Sequence, residues 1–139
     1  MKSRIHLTQT DKERIFDSIK TKLACRSEFI FAYLFGSATD ELNVGDIDIA
    51  VYFRDQIPQD EQTDFTLYLS TELSHELGLP VDVRPLNHTS AGFRFHVTDG
   101  HVLFSYDEDT RLDFVESTWR EYHDFKPLME QNLKDLLEI

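Results

Sequence analysis

The chain is short of cysteine, of positive charge and of long apolar runs. Cys25 is its single cysteine, so no internal disulfide can form, and without a CxxC there is no framework for structural zinc. No apolar run approaches the roughly 20 residues that a membrane-spanning helix needs. The opening MKSRIHLTQTDKER has no apolar signal core, so a cytoplasmic protein is the expectation. Lys and Arg number 14 against 26 Asp and Glu, a net charge of −12. That field disfavours nucleic acid as the main substrate, because phosphate neutralisation drives such binding. It tolerates a basic or neutral partner and a nucleotide delivered with its own metal. Glycine and proline are sparse, with no linker-like, repeated or low-complexity tract, so residues 1–139 are expected to form one domain. There is no Walker A loop, no GxGxxG and no HExxH.

What is present is a core. Forty per cent of the residues are apolar, 11 of them phenylalanine, which fits a globular chain. Thr10 to Glu13 has the form of a capping box, and Ile15, Phe16, Ile19 and Leu23 follow at helical spacing, predicting a helix over 11–25. Residues 28–35 read as a central strand, 37–42 as a short helical turn and Ile47–Phe53 as a second strand. Pro58 and Gly78 bracket a helix over Gln59–Leu77 with Phe65, Tyr68, Leu69, Leu73 and Leu77 on one stripe. A strand over Val81–Pro85, a short helix over 90–98 and a strand over His101–Ser105 come next. From 108 to 138, Leu112, Val115, Trp119, Tyr122, Phe125, Met129, Leu133 and Leu136 recur at helical steps. Pro127 must kink or break that helix. The order is that of an α/β (α+β) fold, a small mixed sheet flanked by helices.

The chemistry gathers between Phe31 and Tyr52. An apolar run ends in Gly36-Ser37, a polar segment follows, and Asp46 and Asp48 alternate with Ile47, Ile49 and Val51. Carboxylates two apart on a strand share a face at roughly 6.5–7 Å. They repel unless a cation, a proton or water intervenes, and a hard divalent ion such as Mg²⁺ would explain them. Gly-Ser offers backbone N–H groups and a hydroxyl to a phosphate. A third carboxylate, Asp82, alternates with Val81 and Val83 on another strand. Arg54, Arg84 and Arg94 are further phosphate candidates, Arg84 foremost because it shares the Asp82 face. Cys25 reads as a buried or inert thiol, and Trp119, Tyr122 and Phe125 as core or partner-facing aromatics.

Gly-Ser, a short spacer, Asp-x-Asp and a later strand Asp resemble the DNA polymerase β-like nucleotidyltransferase superfamily. Within it, LFGSAT, GDIDIAVY, LGLPVDVRPL, the DGHVLFS strand and the final stretch with YHDFKPL resemble the minimal nucleotidyltransferase group, the MntA-type antitoxins paired with HEPN toxins. The resemblance implies that Gly36 and Ser37 hold the nucleotide triphosphate and that Asp46, Asp48 and Asp82 coordinate Mg²⁺. Asp82 would also help to activate the acceptor hydroxyl. It implies AMP transfer from ATP to a tyrosine of a HEPN ribonuclease toxin, a type VII-like toxin–antitoxin pair. Two alternatives stand beside it, a small-molecule nucleotidyltransferase of the aminoglycoside type and an antitoxin acting by binding alone. The spacer over 38–45 is shorter than is usual in the family and carries Asp40 and Glu41 where a basic residue is common.

Overall fold

The computed structural model describes residues 5–6, 8–36, 43–44 and 46–137. A two-residue strand β1 (Ile5–His6) precedes helix α1 (Gln9–Ala24). The cap of α1 is Thr8, whose hydroxyl accepts from the Asp11 backbone N–H at 3.1 Å, so the helix starts earlier than the Thr10 box suggests. Glu13 instead accepts from the Gln9 side chain. Strand β2 (Phe29–Phe35), a short β3 (Asn43–Val44) and β4 (Ile47–Phe53) follow. Next come α2 (Gln59–Leu77), β5 (Val81–Pro85), α3 (Ala91–Thr98), β6 (His101–Ser105) and α4 (Glu108–Leu137). The expected turn over 37–42 lies outside the described residues. The antiparallel pairing of β1 with β3 was not foreseen, because two-residue strands carry no periodic signal.

The main sheet has the order β5-β4-β2-β6. Central β2 is antiparallel to both of its neighbours, whereas β5 runs parallel to β4. A parallel pair needs a long crossover, and α2 supplies it.

Period-two alternation assigns the faces. Ile47, Ile49, Val51 and Phe53 lie in one buried cluster with Ile19 and Leu23 of α1 and Leu69 and Leu73 of α2. Truncating Leu69 or Leu73, both essentially fully buried, to alanine would cost about 2–5 kcal/mol. Ala50, Phe31, Tyr33 and Phe35 form the opposite cluster with Val97 of α3 and Phe114 of α4. A register shift between Phe29 and Phe31 is why these two, although two apart, face opposite sides.

Strand β5 lies at the sheet edge, where unpaired backbone invites further strands. Two serines of α2 occupy it. The Ser70 hydroxyl accepts from Val83 N–H (2.8 Å) and shares its one proton between Thr66 C=O (2.8 Å) and Val83 C=O (3.3 Å). The Ser74 hydroxyl accepts from Val81 N–H (2.8 Å) and donates to Val81 C=O (3.1 Å).

Two expectations are corrected in the helices. Tyr68 is 61% exposed, while Gln62 and Thr66 take the inner positions of α2. There Gln62 donates to Ile57 C=O and Thr66 to Gln62 C=O, so their polar groups are bonded where an apolar stripe was expected. In α4, Phe114 and Thr118 face inward and Leu112 and Trp119 outward. The Phe114 ring sets this rotation by packing edge-on against Phe31 and Tyr52. As expected of a long kinked helix, α4 runs on through Pro127. The proline lacks an N–H for the carbonyl one turn back, so the helix bends rather than breaks.

Candidate active site

Gly36 closes β2 at φ +82°, a left-handed conformation that disfavours side chains. Its neighbour demands glycine as well. A Cβ placed there would lie 2.7 Å from Asp48 Oδ2. Asp48 sits opposite Phe35 across the β2/β4 ladder, so the ladder register delivers its carboxylate to the Gly36 corner. A second close approach supports this corner from β6. A Cβ on Gly100 would run into the Leu34 carbonyl and come within 3.1 Å of Phe35 Cα. The sequence offers Gly100 only as the end of α3.

Asp46 stands two residues before Asp48 and is half-buried, on the same face by alternation. Asp82 is the direct register partner of Asp48 across the parallel β4/β5 pair, and partners in a ladder point to one side of a sheet. The structure thus brings Gly36, Asp46, Asp48 and Asp82 to one face and one end of the sheet. Ser37, and the spacer positions Asp40 and Glu41, lie outside the described residues.

These carboxylates do not close around a point. Among the described residues, no three His, Cys, Asp or Glu side chains gather as a metal cluster. Asp82 Oδ2 instead accepts from Arg84 Nε at 2.7 Å, with both side chains about half exposed. An exposed pair of this kind contributes only about 0–1 kcal/mol, so little opposes its opening. Hard oxygen donors on one face, two of them in direct register, fit a divalent cation such as Mg²⁺ in kind.

The other candidates are structural. Arg54 Nε donates to Ser27 C=O. Arg94 donates to Asn87 C=O and Thr89 Oγ1 and lies over the Phe114 ring, fastening α3 to α4. Tyr52 lies farther along the same strand face; burial pushes its phenol above the usual range, so it stays protonated and is no general base. Cys25 is exposed, contrary to a buried thiol. Tyr122 stacks on Phe95 with centroids 4.0 Å apart, and Trp119 donates its indole N–H to Thr98 Oγ1. These two aromatics fasten α4 to α3. Sequence reasoning missed a neighbouring cavity between β5, α2 and α3, lined by Arg84, Pro85, His88 and Phe93. Its walls come from segments far apart in the chain.

A family model described as "Polymerase beta, Nucleotidyltransferase" matches residues 17–109, more than half of the chain. No match was found among curated proteins. Solved structures share the fold. A chain of the complex between tri-AMPylated Shewanella oneidensis HEPN toxin and MNT antitoxin is 23% identical, with a TM-score of 0.69 over 91% of this chain and 98% of that one. A chain of an MntA–HpeT toxin–antitoxin mutant is 25% identical, with a TM-score of 0.68 over 87% and 95%. A toxin–antitoxin structure with AMP-PNP gives 24% and 0.68 over 88% and 98%.

Proposed function

The chain belongs to the polymerase beta nucleotidyltransferase family, and from that premise we propose that it is an antitoxin that transfers AMP from ATP to a tyrosine hydroxyl of a HEPN-type toxin. The observation that carries this reading is the juxtaposition of Gly36 with the Asp48 carboxylate, with Asp82 in direct register beside it. The solved relatives that share the fold include a complex with an AMPylated HEPN toxin and one with an ATP analogue.

In this reading Gly36 and Ser37 hold the triphosphate, and Asp46, Asp48 and Asp82 hold Mg²⁺. The bound cation supplies charge neutralisation at the phosphates and at the attacking oxygen. The residues orient the rest. Asp82 accepts the proton of the phenol. The phenolate oxygen then forms a bond to the α-phosphorus, the bond from that phosphorus to the bridging oxygen breaks, and pyrophosphate leaves with the electron pair. Arg84 must release Asp82 for this, and the exposed ion pair permits it.

The test is incubation of the protein with Mg-ATP and its partner toxin, read by mass spectrometry. AMP on a partner tyrosine, lost in Asp46→Ala and Asp48→Ala, is the expected result. Suppressed toxicity with no nucleotide on the partner would overturn it. That outcome would establish the second reading, an antitoxin acting by contact, which the acidic Asp40 and Glu41 of the spacer favour because like charge opposes a triphosphate.

No helix among the described residues is long and apolar enough to cross a membrane.

A further inference from the structure

Beside the carboxylate face lies a pocket of about 310 Å³, walled by Thr63 and Gln62 of α2, Arg84 and Pro85 of β5, His88 of the following loop and Phe93 of α3. Ligand pockets run from about 300 to 1,000 Å³. This one is therefore the size for a single side chain rather than a nucleotide.

Its position ties it to the acceptor. Arg84 follows Asp82 by two residues on the same strand face, a step of roughly 6.5–7 Å. Phe93 meets Phe35 edge-on, with ring centroids 5.6 Å apart, and Phe35 is the register partner of Asp48. The pocket floor and the carboxylates thus belong to one continuous surface.

The lining has a definite chemistry. Pro85 and Phe93 are apolar walls for a ring. Among the described residues the Arg84 guanidinium bonds through Nε alone, to Asp82, so its two terminal nitrogens remain to lie over a ring face. Gln62 is only 1% exposed. Its amide N–H₂ donates to Ile57 C=O at 2.9 Å, while its Oε1 meets no donor among the described residues. That oxygen is itself enclosed, so Gln62 is a fixed wall of the pocket.

We infer that this pocket receives the aromatic side chain of the acceptor, with the ring between Phe93, Pro85 and Arg84 and the hydroxyl delivered to Asp82. Arg84 Nε lies 2.7 Å from Asp82 Oδ2, so a ring held against the guanidinium brings its hydroxyl to the carboxylate, whereas a serine or threonine has no ring for Phe93 and Pro85 to hold. The inference rests on the transfer proposed above and names the residues that select its substrate.

The probe is N-acetyl-tyrosinamide, with N-acetyl-serinamide as control, titrated into the intact protein and followed by heteronuclear NMR. Shifts at His88, Thr89 and Phe93 with the tyrosine compound alone are expected. Thr63→Phe, an exposed helical position where a ring would fill the pocket, should weaken binding about tenfold, as should Phe93→Ala, since an aromatic contact is worth up to about 1.5 kcal/mol. ATP affinity should be unchanged in Thr63→Phe. No shifts, equal shifts with the serine compound, or undiminished binding in both variants would overturn the pocket assignment. Transfer of AMP to the toxin is measured separately. Its absence alongside selective tyrosine binding would defeat the catalytic reading and leave the pocket standing.

Discussion

The missing Cβ of Gly36 would fall 2.7 Å from Asp48 Oδ2. Two demands coincide at this glycine, a left-handed backbone and the close approach of a carboxylate, and they can be separated. Gly78, at the end of α2, has a similar φ of +68° but nothing within 4 Å of its Cβ position. Gly36→Ala and Gly78→Ala should each destabilise the fold by about 1–3 kcal/mol through backbone strain, read from urea unfolding. Only Gly36→Ala should also abolish nucleotide transfer. Equal activity in the two variants would show that the Asp48 contact is incidental.

Asp48→Asn keeps the shape of the side chain and removes its charge. The variant should fold with near wild-type stability, lose Mg²⁺ binding measured by calorimetry, and lose AMP transfer. Mg²⁺ affinity unchanged from wild type would remove Asp48 from the metal site.

The serines that cover the β5 edge make their own prediction. Ser70→Ala leaves the Val83 N–H without its side-chain partner, and Ser74→Ala does so for the Val81 N–H and C=O. Each unsatisfied group costs about 1–3 kcal/mol where water cannot replace the bond. The double variant Ser70→Ala with Ser74→Ala should lower the urea midpoint and, by baring the edge, promote self-association visible in light scattering. A monomeric variant of unchanged stability would refute the shielding role.

Acid should expose one ion pair at the start of α4. The Arg111 guanidinium beside Glu108 lowers that carboxyl from 4.5 to about 2. Because the folded value lies below the unfolded one, the stabilisation is complete above about pH 4.5 and is lost as pH falls towards 2. Glu108→Gln should therefore be less stable than wild type at neutral pH, and the gap should close between pH 4.5 and 2. A gap independent of pH, in thermal melts across that window, would assign the loss to packing instead. Arg111 also donates to the buried Tyr33 hydroxyl at 2.7 Å, so Arg111→Ala should cost more than Glu108→Gln.

The last turns of α4 are exposed, with Leu128, Leu133 and Leu136 each more than half accessible. Under the proposed pairing with a toxin, deleting the residues after Pro127 should weaken the complex far more than the fold. Pull-down of the partner and a thermal melt measure the two losses, and equal losses would place this segment in the protein's own core.

Much of this was legible in the sequence because it is local. The alternation of Asp46 and Asp48 with Ile47, Ile49 and Val51 fixed which side of β4 is polar. Pro58 and Gly78 marked helix ends through chemistry confined to a turn or two. Errors arose where packing overrides periodicity. Thr66 and Gln62 lie inside because their polar groups find backbone carbonyls, and Tyr68 lies outside, although composition argues the reverse. The site itself belongs to the tertiary structure. Asp82 meets Asp48 because β5 joins the sheet beside β4, and Gly36 meets Asp48 because β2 pairs with β4 in one register. Arg84 occupies Asp82, and Phe93 arrives from a helix that follows both. By itself the sequence determined which residues could serve a nucleotide and which face each would take, since side-chain alternation is a property of the strand alone. Which of them touch was decided by strand order and register, because pairing between distant segments leaves no periodic trace along the chain.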